Sequence, residues 1–249
     1  MKNQYFGDIN DYKKYSLLRL LGGDGQIETV VCWALTEDDG GTDGKRIKYL
    51  EQPDTWQKYD PIVFNHLKQQ VIIRGTRRVN VIERAEVIRN CRFYSDIIKD
   101  DLNLRNHYFK KFFRYARAAD LIFFDPDNGL GVKSVPRGKK KSSKYIYWNE
   151  IETSYKSGHS ILLYQHFPRK PRDSFIRGLV QQFKSLEGIP SVFSFCTMHV
   201  TFLLIPQPCH EKMFAENILK VSQNWGDLIR VRKHSIERTQ RTPIMSADI

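Results

Sequence analysis

Short, continuous apolar runs broken by turn residues set the rhythm of this chain. The clearest are E-T-V-V-C-W-A-L (28–35), L-I-F-F (121–124), S-I-L-L-Y-Q-H-F (160–167) and two runs at 191–197 and 199–205. Each is too short for a typical helix and does not alternate with polar residues. That pattern predicts strands buried on both faces, as in a parallel sheet. Weaker runs at 79–83, 91–94 and 228–231 predict further strands. Between the runs the period changes. Tyr12, Tyr15, Leu18 and Leu21 recur at helical spacing, with Asp8 or Asn10 as a cap and Gly22-Gly23 as a stop. This predicts a helix over 11–21, and similar spacing predicts helices over 60–70, 104–118, 148–157, 174–186 and 211–223. Strands alternating with helices imply an α/β fold: one three-layer, Rossmann-like open sheet, mostly parallel. It is expected to form a single domain over 1–236, with a polar, disordered tail at 237–249.

One stretch stands out. L-I-F-F runs straight into Asp125-Pro126-Asp127-Asn128-Gly129. In open α/β sheets, ligands bind beyond the carboxyl ends of the strands. Two carboxylates there are costly unless they meet a metal, a proton or a donor. The same residues are also good turn formers. The run at 160–167 should lie beside this strand, joined to it by one helix. The right-handed crossover then brings Gln165, His166 and Arg169 to the same edge as Asp125, Asp127 and Asn128. A histidine on an apolar strand is often a core residue. Following a polar Gln at a strand end, His166 is a candidate for the site.

Charge changes the picture. The 249 residues carry 40 Lys and Arg against 28 Asp and Glu, a net +12. Such an excess favours an anionic partner, nucleic acid (RNA or DNA) first among them. A dense part of it, Arg137, Lys139, Lys140, Lys141 and Lys144, follows the Asp125 turn directly and is a candidate phosphate-binding lid. Of the four cysteines no two form a C-x-x-C pair, so a zinc site of that spacing is not expected. No signal-peptide pattern or membrane-length apolar run is present, and a cytoplasmic protein with no membrane partner is expected.

An apolar strand closed by Asp125-Pro126 resembles motif four of class I S-adenosylmethionine-dependent amino-methyltransferases, an acid or amide followed by Pro, Pro and an aromatic. The resemblance implies that Asp125 and a backbone carbonyl accept hydrogen bonds from an exocyclic amine. Asp127 and Asn128 depart from the pattern and remove its stacking ring. Gly7, Asp11 and Lys14, followed by leucines, are similar to the opening of bacterial ribosomal-RNA adenine-N6 methyltransferases, with Asp8 in place of an Asn. There the segment closes over the cofactor, which implies that Asp11 and Lys14 line its pocket. The remaining cofactor contacts fall to Gly40, Gly41 and Asp43 after the first strand, and to Glu83 as the acid of the second. The glycines come late and are not G-x-G-x-G. The chain also resembles a bacterial protein family, with no activity attached to it, that shares W-x-L-T-x-D, D-P-D-N-G and Y-Q-H-F-P-R stretches.

The expected function is therefore an enzyme acting on nucleic acid by methyl transfer. Asp125, Asp127, Asn128 and His166 would be catalytic, and Arg137, Lys139, Lys140, Lys141, Lys144 and Arg169 would hold substrate. Two alternatives stand beside it. Asp125 and Asp127 could hold Mg²⁺ or Mn²⁺ in a nuclease or phosphodiesterase. A non-catalytic nucleic-acid-binding protein could have kept the fold without the cofactor.

Overall fold

The computed structural model describes residues 1–41 and 43–235. The expected tail at 237–249 lies outside the described residues. Among the described residues nine strands follow in chain order: β1 (Thr29–Cys32), β2 (Cys91–Tyr94), β3 (Leu121–Phe124), β4 (Gly129–Leu130), β5 (Tyr145–Ile146), β6 (Ser160–His166), β7 (Ser191–Cys196), β8 (Val200–Ile205) and β9 (Arg230–Ser235). The helices used below are α1 (Ile9–Leu21), α2 (Pro61–Lys68), α3 (Leu102–Ala116), α4 (Trp148–Lys156), α5 (Arg172–Phe183) and α6 (Glu211–Trp225).

Seven strands form one sheet in the order β2-β1-β3-β6-β8-β7-β9, while β4 and β5 pair separately. β2, β1, β3 and β6 are parallel. β8 enters antiparallel between β6 and β7, and β9 is antiparallel to β7 at the edge. Five strands, β2, β1, β3, β6 and β7, thus point one way. The expected adjacency of L-I-F-F and S-I-L-L-Y-Q-H holds, with Ile122 opposite Ile161 and Phe124 opposite Leu163.

The strands alternate between two apolar layers, as the period of two requires. Val31, Trp33, Phe123, Leu162 and Phe202 pack with α1, α2 and α6, whose core includes Tyr12, Tyr15, Phe64 and Trp225. Val30, Cys32, Phe124, Leu163 and Leu203 pack on the other side with α3, α4 and α5, through Phe112, Ile151 and Phe183. Every residue of β1, β3, β7 and β8 is buried. This sandwiching explains their unbroken apolar sequence.

Two expectations are corrected. Val79–Glu83 is not a strand: Asn80–Glu83 forms a single helical turn. Val79 and Ile82 are held in the α1-side core, and a short apolar run satisfies either conformation. The last strand lies later than expected, at Arg230–Ser235, because a sheet edge tolerates the polar sequence R-V-R-K-H-S.

The basic stretch is fastened down rather than poised as a lid. Arg105 of α3 is fully buried and grips the Glu150 carboxylate of α4 with two hydrogen bonds, at 2.6 and 2.7 Å. The same guanidinium donates to the Ser142 and Tyr145 carbonyls at 3.0 and 2.7 Å. Arg137 adds a 3.0 Å contact to Glu150. The Asp100 carboxylate accepts from the amides of Lys141 and Ser143, both at 2.6 Å. Lys139, Lys140 and Lys141 are left exposed on the outer surface of this anchored loop.

Removing one partner of a buried ion pair leaves an uncompensated charge. Arg105→Ala should therefore cost about 3–5 kcal/mol of stability. It should also open 132–144 to protease. Denaturant unfolding with limited proteolysis checks both. A midpoint equal to wild type would show that Arg137 alone can hold Glu150.

Candidate functional site

The Asp125 turn begins where β3 leaves the sheet. Asp125 N still donates to the Cys32 carbonyl at 3.0 Å, so the ladder fixes this residue's backbone. Pro126 cannot continue the ladder, and the chain turns away. Gly129 ends the turn with φ of 115°. A Cβ there would meet the Gln165 side-chain oxygen at 2.3 Å, so only glycine fits. Gln165 uses that closeness. Its Oε1 accepts from Leu130 N at 2.8 Å, and its Nε2 donates to the Asn128 carbonyl at 3.2 Å. Gln165 thereby ties the turn to β6.

Helix α1 supplies the other half of the site. Asp8 caps it by accepting from Asn10 N at 3.0 Å. Gly7, at φ of 82°, donates its amide to Asp11 Oδ2 at 3.1 Å. One turn on, the Lys14 ammonium sits 2.8 Å from Asp11 Oδ1 and 2.7 Å from Asp125 Oδ2. All three side chains are buried, at 4%, 3% and 2% exposure. The rings of Tyr164, Trp33 and Tyr15 surround the ammonium, 5.3–5.9 Å away. Burial alone would lower the Lys14 pKa, but the two carboxylates raise it, so the ammonium stays charged. Among the described residues no hydrogen bond reaches Asp125 Oδ1, although Asp125 lines the cleft.

The cleft above this cluster has a volume of about 590 Å³. It gathers half of the residues picked from the sequence: Asp11, Lys14, Asp43, Asp125, Asp127, Asn128, Lys144 and His166. It also holds Met1, Tyr5, Asn10, Lys45, Arg46 and Tyr164, which sequence reasoning did not assign to a site. Arg46 is placed by long-range bonds that leave no local signal. Its carbonyl accepts from Ile9 N at 3.1 Å, and its amide donates to Asp8 Oδ2 at 3.1 Å. His166 receives a 3.2 Å contact from the Tyr164 hydroxyl. Desolvation lowers its pKa, against the opposing pull of Asp125 and Asp127. At neutral pH the imidazole is uncharged.

The other expected residues lie elsewhere. Gly40 and Gly41 are in an exposed loop outside the cleft. Glu83 accepts from Trp33 Nε1 at 2.8 Å and from Ser95 at 2.6 Å and does not line the cleft. Arg137, Lys139, Lys140 and Lys141 do not line the cleft. Arg169 belongs to a neighbouring groove. Asp125 and Asp127 do not face a common cation space. Asp125 engages Lys14, whereas Asp127 Oδ1 lies 2.9 Å from the Met1 α-ammonium and Oδ2 accepts from Thr36 at 3.3 Å. Burial works to raise the Asp127 pKa, but the charges of the α-ammonium, Lys2 and Lys144 hold it low. Among the described residues no group of three or more His, Cys, Asp or Glu is arranged to hold a metal. The paired-carboxylate site expected for Mg²⁺ or Mn²⁺ is not built here.

S-adenosylmethionine also lacks its cradle. The end of β1 carries Trp33-Ala34-Leu35 rather than a glycine turn. The carbonyls of Trp33, Ala34 and Asp125 do converge on a methionine α-ammonium, at 3.1, 3.3 and 3.0 Å, but it is that of Met1. Met1 is 3% exposed and fills the space. As the structure stands, the residues at this strand end do not fit the cofactor.

No family model matches this chain, and no curated protein does. It is similar in structure to a protein from Legionella pneumophila str. Philadelphia 1, described by the DUF519 family. The two share 10% identity over 92% of this chain and 97% of that one, with a TM-score of 0.43. No helix among the described residues is long and apolar enough to cross a membrane.

Asp11 gives the cluster a pH dependence. Burial pushes its pKa from 3.8 up to about 6, opposed by the charge and hydrogen bond of Lys14. The folded state thus holds this proton more tightly than the unfolded chain does. Its stabilising contribution is complete below pH 3.8 and is lost as pH rises through about 6. Melting temperatures across that window should show a downward component in the wild type that Asp11→Asn removes. Parallel curves for the two proteins would place the titration on another group.

Proposed function

We infer that the cleft binds nucleic acid by accepting the exocyclic amine of one base at Asp125. The observation that carries this is the asymmetry of the Asp125 carboxylate. Lys14 clamps Oδ2, whereas among the described residues no donor reaches Oδ1, and Asp125 lines the cleft. A buried carboxylate in that state is an acceptor awaiting a donor, and a hydrogen bond to a charged group contributes about 1.5–3 kcal/mol. An N–H of adenine or cytosine supplies such a donor; the carbonyl of hypoxanthine or uracil at the same ring position does not. The ring of Tyr5 and the Tyr164–His166 pair provide cleft surfaces on which a base can pack. Lys45, Arg46 and Lys144 at the cleft offer charge to its phosphate. The net charge of +12 agrees with such a partner.

Each residue then has a task. Asp125 accepts from the amine. Lys14 fixes the carboxylate rotamer. Asp11 balances the ammonium, and Gln165 holds the turn. On this reading the protein recognises bases on a methyltransferase-like sheet whose cofactor place is filled.

Methyl transfer to that amine is the second reading. The strand order supports it. Asp125 stands at the end of β3 inside a mostly parallel sheet, where the Asp125-Pro126 resemblance puts the acid. Met1 stands against it.

Calorimetry with mononucleotides tests the base reading. Adenosine and cytidine monophosphates should bind about tenfold tighter than inosine and uridine monophosphates, the effect of one charged hydrogen bond. Asp125→Asn should abolish or reverse that preference, because Lys14 holds the amide oxygen and leaves its NH2 donor towards the cleft, and Asp125→Ala should abolish it. Asp127→Asn should leave it unchanged. Melting curves of each variant control for folding. Equal wild-type affinity for amine and carbonyl bases rules the reading out. A rise in melting temperature with S-adenosylmethionine would favour methyl transfer instead.

A further inference from the structure

Beside the cleft, β6 runs out into a second depression. His166 closes the strand and borders the cleft; the next residue, Phe167, begins a groove of about 490 Å³. Pro168, Arg169, Lys170, Pro171 and Arg172 form one wall, and Met198 and His199 of the β7–β8 turn form the other. The two differ in charge. The cleft mixes carboxylates with cations, whereas no carboxylate lines the groove.

Three of the groove's side chains are arginine or lysine. Arg172 is committed to the protein: its guanidinium lies over the Phe167 ring at 5.1 Å and donates to the Met198 carbonyl at 2.6 Å. It thereby braces the two walls. Arg169 and Lys170 are exposed, and among the described residues their side chains make no hydrogen bond or ion pair. His199 has its pKa lowered by desolvation and then by Arg46, Lys13 and Arg172, against an opposing pull from Asp8, so the imidazole stands between charges of the cleft and of the groove. Met198 is 67% exposed and presents an apolar surface among these cations.

We propose that this groove carries the phosphodiester strand flanking the base held in the cleft, so that the partner is a single-stranded or locally unpaired nucleic acid. The proposal rests on the base reading of the cleft. Charge complementarity selects the occupant: unpaired cations next to an exposed apolar side chain match alternating phosphates and bases. Depth selects the strand state. Asp125 is 2% exposed on the cleft floor, and a base stacked in a duplex cannot bring its amine there. The strand must enter with one base turned out, and the groove is the charged surface next to that entry.

The test is fluorescence anisotropy with a labelled single strand over a salt series, comparing wild type with Arg169→Ala/Lys170→Ala. Neither residue lines the cleft, and both are exposed, so the variant should fold normally. Each phosphate contact on a single strand contributes about 0.7 to the log–log salt slope, so the double variant should flatten it by about 1.4. The loss should be equal for an intact strand and for one carrying an abasic position, and mononucleotide binding in the cleft should be unchanged. An unaltered slope overturns the groove while leaving the cleft reading intact. A flattened slope without any amine preference in mononucleotides keeps the groove and removes the cleft reading. Duplex bound as tightly as single strand, or no binding of single strand by the wild type, overturns the proposal outright.

Discussion

The burial of one ammonium organises this molecule. Lys14 is only 4% exposed, too little to hydrate its charge, and desolvating an isolated ammonium costs several kcal/mol. Two carboxylates and three aromatic rings replace that hydration. To do so they must meet at one point. Asp11 fixes the rotation of α1, Asp125 fixes the exit of β3, and Trp33 and Tyr164 fix the ends of β1 and β6. A buried ion pair is poor ballast for stability, but it penalises every arrangement in which its partners separate. The position of the first helix over the sheet edge follows from that penalty.

The legibility of the sequence tracks this physics. Strands buried on both faces are continuous apolar runs, so β1, β3, β6, β7 and β8 could be read directly. β9 could not be bounded, because an edge strand obeys weaker rules. The Val79–Glu83 run is apolar for the sake of the core beneath it and says nothing about its own backbone. In the site, Asp11, Lys14 and Asp125 were found through short motifs whose spacing reflects real contacts. Arg46 was missed because it is positioned by Asp8 and Ile9 from far along the chain. Gly40 and Gly41 were misassigned because a glycine-rich loop signals turning, not what the turn encloses.

The basic stretch shows the same distinction from the other side. Its composition suggested mobility over a substrate. Its backbone is instead held by Arg105, Glu150 and Asp100, which are distant in sequence and unremarkable by themselves. Charge density describes what a surface attracts. It does not describe whether the surface moves, which depends on how many backbone groups are tied to buried side chains.

The distance along the chain between Lys14 and Asp125 has a kinetic consequence. Their bond joins positions 111 residues apart, and the helix and strand that carry them can each form earlier from more local contacts. Closing so long a loop costs chain entropy that is recovered only when both carboxylates reach the ammonium. Until that loop closes the cleft has no floor: Lys14 stays hydrated and Asp125 stays free to rotate.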